Sequence, residues 1–418
     1  MSTLIYWFRN DLRLADNPAF TQACLNADHL LPVYIHDLKE QETVYGFKRQ
    51  GTHQQAFLRA SLDDLGSQLR AQGSDLLEFS GRSAEVLLGL FQVYAADVIY
   101  CEQIEAPEEI EQVRILQKQG VDVQEFWQSS MLDPQTFPFE LEKMPDVFTA
   151  FRREVERAQL KFAKPIDAPQ RIPELASSLT QSTSQGISTS SSFTHPYLLG
   201  GSCHAQAHLE QYLERRLPDS YKETRNQLIG MDYSSKFSAW LALGCLSARD
   251  IAAQLSDYED RYGANDGTYW LWFELLWRDY FRFLHFKYGQ KLYWAGGLTG
   301  VPVKPSYATS FEQWRTGNTG AELVDAGMRE LHQSGYLSNR MRQIVASYWI
   351  YDMQGDWRAG AAWFESQLID YDVYSNQGNW LYIAGRGTDP RGGRPFNVAK
   401  QTQDHDSQRI YRKRWLSS

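Results

Sequence analysis

Residues 335–350 read GYLSNRMRQIVASYWI, and residues 355–385 read GDWRAGAAWFESQLIDYDVYSNQGNWLYIAG. Arginines, aspartates, asparagines and tryptophans lie on and between apolar helical turns in this stretch. A protein that needed only a hydrophobic core would not surround it with so many groups that are costly to bury. The mixture predicts an enclosed site for a large, partly polar, redox-active ligand in a helical domain, with a nucleic-acid surface close by.

The composition of the chain is that of an ordinary globular protein. Its 418 residues are enough for two domains with sizeable cores, and contents of 43% hydrophobic and 22% charged residues are typical. The net charge of −9 argues against simple wrapping of duplex DNA but permits a local basic patch in the second half. The four cysteines form no CxxC pair, and we expect buried, reduced thiols and no metal site.

The sequence contains no recognisable targeting segment. The amino terminus, MSTLIYWFRNDLRL, lacks a signal-peptide pattern because Arg9 and Asp11 interrupt a very short apolar run. No run of about 18 apolar residues occurs that could span a membrane. We therefore expect a cytoplasmic protein, and we expect it to be a monomer.

Short β-rich runs alternate with helical patterns in the first 130 residues. The runs are Leu4–Phe8, Leu31–Ile35, Leu76–Phe79, Val98–Tyr100 and Val121–Phe126. This alternation predicts a Rossmann-like parallel sheet that is covered by helices on both faces. Neither a GxGxxG fingerprint nor a P-loop is present, so the domain is not predicted to be a standard nucleotide binder.

The rest of the chain changes character twice. Residues from about 164 to 196 contain several prolines and then LASSLTQSTSQGISTSSS, a composition that predicts a long surface linker. From His204 onward helical periodicity dominates. The predicted fold is α/β plus all-α, with an α/β domain at 1–130, a connecting linker at 131–203 and a helical domain at 204–418.

Five ordered motifs resemble the photolyase/cryptochrome flavoprotein family, and most closely its DASH cryptochrome branch. They are WFRNDLRLADNPAF (7–20), MDYSSKFSAWLALGCLS (231–247), FELLWRDYFRF (273–283), TGAELVDAGMRELHQSGYLSNRMRQIVAS (319–347) and DYDVYSNQGNWLY (370–382). The resemblance runs from Leu4 to Trp415. It implies non-covalent FAD in a U shape within the helical domain and an antenna chromophore, often a folate, at the α/β domain.

The segment YSSKFS precedes an apolar helical run and matches the family's diphosphate-binding loop. Serine hydroxyls and free backbone N–H groups at a helix start suit a pyrophosphate, although the same serines alone would be read as an ordinary helix cap. The resemblance implies that the flavin diphosphate is bound by Tyr221, Ser234, Ser235, Lys236, Phe237 and Ser238.

Polar residues of the opening stretch match the family's isoalloxazine site. Asn339 and Arg342 lie three positions apart and share a helix face. A pair between Arg342 and Asp370 could be purely structural, but the resemblance implies that it lies beside the flavin ring. Asp372 would hydrogen-bond the ring. Asn376 would face flavin N5, where a neutral amide is compatible with an anionic hydroquinone.

Glu274, Trp277, Arg278 and Phe281 recur at helical spacing. An aromatic stripe is usually core, but an unpaired buried carboxylate within it would be costly. A desolvated Glu274 would have a raised pKa and could donate a hydrogen bond to a substrate carbonyl. The resemblance implies that Glu274 binds the damaged base pair, that Trp277 stacks on it and that Arg278 also contacts DNA.

Gln343 and Tyr382 stand where the best-known cyclobutane pyrimidine dimer photolyases carry methionine and tryptophan. Weaker stacking should favour lesions that are already in single strands, which is a habit of the DASH branch. We expect Arg340 and Gln343 to lie on a different helix face from Asn339 and Arg342, so that one helix addresses both DNA and flavin. Further candidate phosphate contacts, each equally well explained as a solvated charge, are Arg225, Arg391, Arg394 and Lys400.

Trp380 and Trp357 match the inner two members of the family's tryptophan chain, which carries electrons to photoexcited flavin. Packing in the core is the alternative explanation. The third member should lie ten residues before Trp314, where this chain has Lys304. Three nearby aromatic residues could substitute for it, namely Tyr307, Tyr293 and Trp294.

The antenna prediction depends on the acidic segment CEQIEAPEEIEQ. One of Glu108 and Glu109 matches the carboxylate that holds folate in related proteins, and Glu109 is our candidate. A solvated acidic helix start is the alternative.

Two functions follow from the resemblance. The first is light-driven, FAD-dependent repair of cyclobutane pyrimidine dimers, preferentially in single-stranded DNA, in which excited reduced flavin donates one electron to the dimer. The second is a blue-light photoreceptor or regulatory protein that binds DNA or RNA without efficient repair. Glu274, Trp277 and Asn376 favour the enzyme, whereas Lys304 and the polar Gln343/Tyr382 pocket leave room for the photoreceptor.

Overall fold

The computed structural model describes residues 2–175, 198–302 and 308–417. Strands occur only in the first part of this described chain, and the second part is helical. The strands are β1 (Thr3–Phe8), β2 (His29–Asp37), β3 (Thr43–Val44), β4 (Phe47–Lys48), β5 (Leu77–Gly81), β6 (Val98–Glu102) and β7 (Val123–Phe126).

The main sheet has the order β5-β2-β1-β6-β7, and every neighbouring pair is parallel. The predicted Rossmann-like parallel sheet is therefore confirmed. Each of the five predicted runs contributes one strand, with ends that differ by a few residues. The short strands β3 and β4 form a separate antiparallel pair, which the sequence patterns did not indicate.

Side chains of β1 alternate between two hydrophobic cores. Tyr6 and Phe8 pack against Phe20 of the first helix, with ring centroids 5.0 and 5.3 Å from it. Ile5 and Trp7 point to the opposite face and join a separate buried cluster. A parallel sheet buried on both faces needs apolar residues at successive strand positions, which is why these runs are nearly continuous in hydrophobicity.

Helices cover the sheet and build the whole second half. They are α1 (Pro18–Asn26), α2 (Thr52–Ala71), α3 (Ser83–Val93), α4 (Pro107–Lys118), α5 (Phe148–Arg157), α6 (Ser202–Glu214), α7 (Tyr221–Thr224), α8 (Ser238–Ala242), α9 (Ala248–Tyr262), α10 (Asp266–Tyr288), α11 (Ala308–Arg315), α12 (Glu322–Ser334), α13 (Asn339–Ser347), α14 (Trp357–Gln367), α15 (Val373–Ala384), α16 (Val398–Asp406) and α17 (Ile410–Leu416).

The range predicted as a linker, 131–203, contains an ordered and partly buried helix. Phe148, Phe151 and Val155 of α5 are buried in the main core, and the Phe151 ring lies 5.5 Å from Tyr280 of α10. Their spacing is helical, so the sequence carried the signal for this element. Most of the serine-rich surface linker falls on residues 176–197, outside the described residues.

Buried polar contacts join the sheet to the helical half. Arg249 of α9 pairs with Asp16 at 2.9 Å, and Arg13 donates to the carbonyl of Gly244 at 2.8 Å. Gly244 has φ +68°, and a Cβ there would lie 2.0 Å from the Asn10 carbonyl oxygen. Glycine is therefore required at this close approach of the two halves.

Within the described ranges, none of the helices combines the length and the apolar character needed to cross a membrane. In the same ranges, no group of three or more histidine, cysteine, aspartate or glutamate side chains is arranged to hold a metal ion.

Candidate functional site

A cavity of about 450 Å³ opens in the helical half, a size typical of cofactor and ligand sites. It brings together side chains from α7, the loop before α8, α10, α13 and α15. Most of the predicted site residues line it, namely Tyr221, Arg225, Ser234, Ser235, Lys236, Phe237, Ser238, Glu274, Trp277, Arg278, Asn339, Arg342, Gln343, Asp370, Asp372, Asn376, Trp380 and Tyr382. Six predicted residues do not, namely Glu109, Arg340, Trp357, Arg391, Arg394 and Lys400.

Lys236 is a buried ammonium at one end of the cavity. Its backbone has φ +58°, and its Nζ lies 3.4 Å from the ring centroid of Tyr233 and 4.6 Å from that of Tyr336. The residue is 4% exposed and, among the residues that the structure describes, forms no ion pair. Burial lowers its pKa to about 7. A buried cation over aromatic faces, with Glu330 and Asp370 as the acidic groups that act on it, can be a partner for an anionic ligand group.

Arg342 and Asp370 form a buried ion pair on the cavity wall. Arg342 Nη2 lies 3.0 and 2.8 Å from the two carboxylate oxygens of Asp370, and Arg342 Nε donates to the carbonyl of Leu337 at 2.9 Å. The hydroxyl of Ser338 caps α13 by accepting from the backbone N–H of Met341. The cap fixes the start of the helix that carries Arg342.

Asp372 has a partner that sequence reasoning missed. Its Oδ2 accepts from Arg282 Nη2 at 2.6 Å, and its Oδ1 caps α15 by accepting from the backbone N–H of Ser375 at 2.7 Å. Burial alone would raise the pKa of Asp372, but Arg282 and Arg278 outweigh it and lower the pKa to about 2. An arginine inside the apolar α10 stripe was the available sign that a buried acid must lie opposite.

Asn376 lies on α15 with its amide directed at the neighbouring helix. Its Nδ2 donates to the carbonyl of Ala361 in α14 at 3.1 Å. That bond uses one of the two N–H hydrogens, so the side-chain oxygen as an acceptor and the second N–H as a donor remain for a ligand in the cavity.

Glu274 lies on the same cavity face of α10 as Trp277, as its spacing predicts. Arg225 Nη1 lies 2.6 Å from Glu274 Oε1, and the guanidinium also lies over the ring of Trp270 at 4.6 Å. Burial raises the pKa of Glu274, and Arg225 opposes this effect. The direction agrees with the prediction of a raised pKa. Arg225, predicted as a phosphate contact, is thus engaged with the carboxylate.

Trp277 has one face covered by the protein and contributes to the cavity wall. The ring of Phe148 stacks on it with centroids 3.7 Å apart and planes 11° apart. Tyr382 meets it edge-on at 6.0 Å. Phe148 belongs to the range predicted as a linker, so its contribution could not be anticipated.

The expected separation of faces on α13 is wrong for Gln343. Gln343 lines the same cavity as Asn339 and Arg342, because Asn339 lies four positions before Gln343 and three before Arg342, and such positions are neighbours on a helix surface. Arg340 does point away, and its Nη2 donates to Asn226 Oδ1 at 2.9 Å. Side chains predicted to face flavin and side chains predicted to face DNA therefore share one wall.

Arg278 is held by the protein itself. Its guanidinium donates to the carbonyl of Ser129 and, at 3.3 Å, to that of Leu241. Burial lowers its pKa to about 9. These contacts tie α10 to the loop at Ser129 and to α8, and they do not support the prediction that Arg278 contacts DNA.

Two predicted phosphate contacts lie beyond Trp277 and Tyr382. Arg394 pairs with Asp389 at 2.7 Å and lies over the Tyr382 ring at 4.5 Å. Arg391 and Arg394 line a second cavity of about 220 Å³, whose wall also includes Trp277 and Tyr382. Lys400 is exposed on α16. A basic rim therefore adjoins the main cavity.

The two inner tryptophans are both buried. Trp380 is 2% exposed and lines the cavity, whereas Trp357 is 3% exposed and donates from Nε1 to the carbonyl of Ala295 at 3.0 Å. Lys304 and Tyr307, which bear on the third member of the chain, lie outside the described residues.

Glu109 lies in the first turn of α4, on the side of the sheet that meets the helical half. Burial raises the pKa of Glu109. Its neighbour Glu108 pairs with Arg49 at 2.7 Å, and Arg49 also pairs with Glu365 of α14 at 2.6 Å. Glu108 is therefore used in joining the two halves, which leaves Glu109 as the candidate folate ligand.

Known proteins resemble this chain over nearly its whole length. The family model for DNA photolyase matches residues 4–172, and that for the FAD binding domain of DNA photolyase matches residues 270–418. Cryptochrome DASH of Gloeobacter violaceus is 42% identical over 99% of this chain and 85% of its own length. The crystal structure of a Synechocystis cryptochrome matches with a TM-score of 0.92 and 38% identity, covering 100% of this chain and 89% of that one. A class III photolyase from Agrobacterium tumefaciens matches with a TM-score of 0.84 and 26% identity, covering 100% and 87%.

Proposed function

The chain belongs to the photolyase/cryptochrome family, with cryptochrome DASH proteins among its relatives, and we propose on this basis that it uses light to repair cyclobutane pyrimidine dimers, preferentially in single-stranded DNA. The observation that carries the proposal is one cavity that combines Glu274 and Trp277 with the Arg342–Asp370 pair. Side chains suited to bind the substrate and side chains suited to bind the cofactor thus line the same cavity.

The cavity fits FAD, the cofactor of the matched domain. Lys236 offers a buried positive charge for the diphosphate, and Ser234, Ser235 and Ser238 add hydroxyl groups beside it. The Arg342–Asp370 pair and the side-chain oxygen of Asn376 supply polar contacts for the ring. When bound and reduced, FAD supplies the light-excited one-electron donor.

Glu274 and Trp277 are suited to hold an extruded base. Burial raises the pKa of Glu274 against the opposing effect of Arg225, which widens the pH range of the protonated form, and in that form the carboxyl group donates a hydrogen bond to a base carbonyl. Trp277, backed on one side by Phe148, offers a rigid stacking surface to the base.

The preference for single strands is supported by the weak stacking that this pocket offers. Flipping a base out of a duplex costs a few kcal/mol, and stacking returns roughly 1–3 kcal/mol per base. Gln343 adds no aromatic surface, and the Tyr382 ring is partly occupied by the guanidinium of Arg394. A lesion in a single strand is already unpaired, so binding it avoids the free-energy cost of base flipping. The weak stacking in this pocket would offset that cost poorly.

Repair can be measured directly on defined substrates. Chemically reduced, FAD-loaded protein would be illuminated with oligothymidine that contains a cyclobutane dimer, and loss of the dimer would be followed by chromatography. We expect repair in the single strand, slower repair in the matched duplex and none in the dark. Repair of neither form would favour the alternative of a blue-light photoreceptor that binds nucleic acid without repairing it.

The affinity for FAD should fall as the pH rises above about 7. Below this pH Lys236 is already charged in the free protein, so binding takes up no proton there. Above it the free amine is neutral while the bound diphosphate favours the ammonium, so binding must add a proton. The expected slope is up to about tenfold in Kd per pH unit, measured by fluorescence titration with FAD.

Two variants separate the groups that titrate in this range. Lys236→Met should bind FAD more weakly and lose the lysine contribution to the slope. Glu330, whose pKa burial raises to about 7, becomes negative in the same range and would also weaken diphosphate binding. Glu330→Gln should therefore keep the lysine contribution. A Lys236→Met protein with the wild-type slope would contradict the assignment.

A folate antenna at Glu109 stays a prediction, as do binding of RNA, a monomeric state and a cytoplasmic location. An absorption spectrum of purified protein tests the antenna, because folate and flavin bands differ. A folate band that is lost in Glu109→Gln and kept in Glu108→Gln would support the assignment.

A further inference from the structure

The chain has a lysine where the family's outermost tryptophan should be, and an ammonium cannot donate an electron. The structure shows what lies next to Trp357, the last buried member of the tryptophan series. The indole N–H of Trp357 donates to the carbonyl of Ala295 at 3.0 Å. Ala295 is preceded by Trp294, whose side chain is 57% exposed. The path from Trp294 to Trp357 therefore runs through one alanine and one hydrogen bond.

We propose that Trp294 is the outer electron donor of this protein, which passes an electron through Trp357 and Trp380 to photoexcited FAD. This inference rests on the proposed function, because it requires bound FAD. The family has its outermost tryptophan at the position of Lys304. The proposal assigns the role of that tryptophan to Trp294, an exposed residue of the loop after α10.

Exposure matters because an oxidised tryptophan is trapped only when its indole N–H proton leaves. The buried candidates donate that proton to backbone carbonyls, which are acceptors but not bases. Trp357 donates to Ala295, Trp314 donates to Val345 at 3.0 Å and Trp349 donates to Asp356 at 2.8 Å. Trp294 can release its proton to water. The oxidation is therefore expected to come to rest there as a neutral tryptophanyl radical.

The other candidates are less well placed. The Tyr293 hydroxyl contacts His285 Nε2 at 3.0 Å, so a proton that it released would pass to a buried histidine and not to water. Tyr307 lies outside the described residues. Tyr293 is thus held toward the protein interior, while the next residue along the chain faces solvent.

A second branch leads away from Trp380. Trp314 lies 6.3 Å from Trp380 and 5.4 Å from Trp349 between ring centroids, and both Trp314 and Trp349 are fully buried. From Trp349 the route to the surface passes Phe311, at 5.3 Å, before it reaches the half-exposed Tyr45. Phenylalanine is much harder to oxidise than tryptophan or tyrosine. This branch therefore offers a charge no efficient exit.

An external thiol is the reductant that replaces the electron lost by Trp294. With FAD bound, Trp380 would give one electron to the photoexcited flavin and would be refilled from Trp357, which would be refilled from Trp294. The oxidised Trp294 loses its indole proton to water. A thiol then returns one electron and one proton to Trp294 and becomes a thiyl radical.

The test compares Trp294→Phe with Tyr45→Phe, since these exposed rings end the two branches. FAD-loaded proteins would be illuminated with dithiothreitol, and flavin bleaching and the long-lived tryptophanyl radical would be recorded. We expect Trp294→Phe to lose the long-lived radical and most of the bleaching rate, and Tyr45→Phe to match wild type. Unchanged bleaching in Trp294→Phe, or its loss in Tyr45→Phe, would overturn the proposal.

A second readout does not depend on flavin colour. After prolonged illumination of wild-type protein without thiol, peptide mass spectrometry should find oxidation at Trp294 and not at Trp349. The reverse pattern would assign the exit to the other branch. Dimer repair by chemically reduced wild-type protein is measured separately. A protein that photoreduces through Trp294 but repairs no dimer would refute the repair proposal alone.

Discussion

Replacing Arg342 by methionine is expected to abolish FAD binding and to lower the free energy of unfolding by about 3–5 kcal/mol. Asp370 is 6% exposed, and Arg342 Nη2 contacts both of its carboxylate oxygens. Methionine fills much of the same volume but leaves a buried carboxylate without its counter-charge. Urea denaturation of the apoprotein gives the stability, and absorbance after incubation with FAD gives the binding.

Two companion variants distinguish a lost fold from a lost site. The double variant Arg342→Met/Asp370→Leu removes both charges and should recover most of the stability, because an apolar pair of similar volume can replace a buried ion pair. It should still bind no FAD. Arg215→Met breaks an exposed pair with Asp232 and should change stability by less than about 1 kcal/mol. Full FAD binding by the double variant would show that the pair is only structural.

Replacing Glu274 by alanine should lower the rate of dimer repair by roughly ten- to a hundredfold while leaving FAD bound. The expected loss corresponds to one hydrogen bond of about 1.5–3 kcal/mol to a strongly polar partner. FAD should stay because the groups proposed to hold it, Lys236 and the Arg342–Asp370 pair, are untouched. The measurement is repair per absorbed photon with single-stranded substrate at saturation, alongside the flavin spectrum.

Glutamine at position 274 separates the two forms of the carboxyl group. If the neutral acid donates the hydrogen bond, Glu274→Gln should retain much of the repair that alanine loses, because an amide also donates. Arg225→Ala removes the charge that opposes the raised pKa of Glu274, so the protonated form should persist to higher pH. Repair at saturating DNA would then extend to more alkaline pH. Equal repair by the alanine variant and wild type would show that the carboxyl group is not used.

Local patterns predicted the elements of this fold well. The strand runs of the first half form the parallel sheet, since apolar residues at successive positions record burial on both faces. Asn339 and Arg342 do share the cavity, because helical spacing alone places them on one face. The same rule, applied fully, would have placed Gln343 beside them. That error came from incomplete use of the periodicity and not from a lack of information.

Family motifs supplied what periodicity cannot. They associated the YSSKFS loop with residues a hundred positions away in one site, and the structure brings them together around the same cavity. Motifs did not reveal Arg282, which lies 90 positions from Asp372, or Phe148, which stacks on Trp277. Neither contact can be read from a short window of sequence, although Arg282 itself lies in the motif FELLWRDYFRF.

The sequence by itself determined the types of element, the faces they bury and the cofactor class, because these depend on local spacing and on contiguous motifs. Only the tertiary structure decided which charges pair, which ring backs Trp277 and which tryptophan beside Trp357 faces water. Contacts of this kind depend on how helices distant in the chain pack, and packing follows from the shapes of all their side chains together.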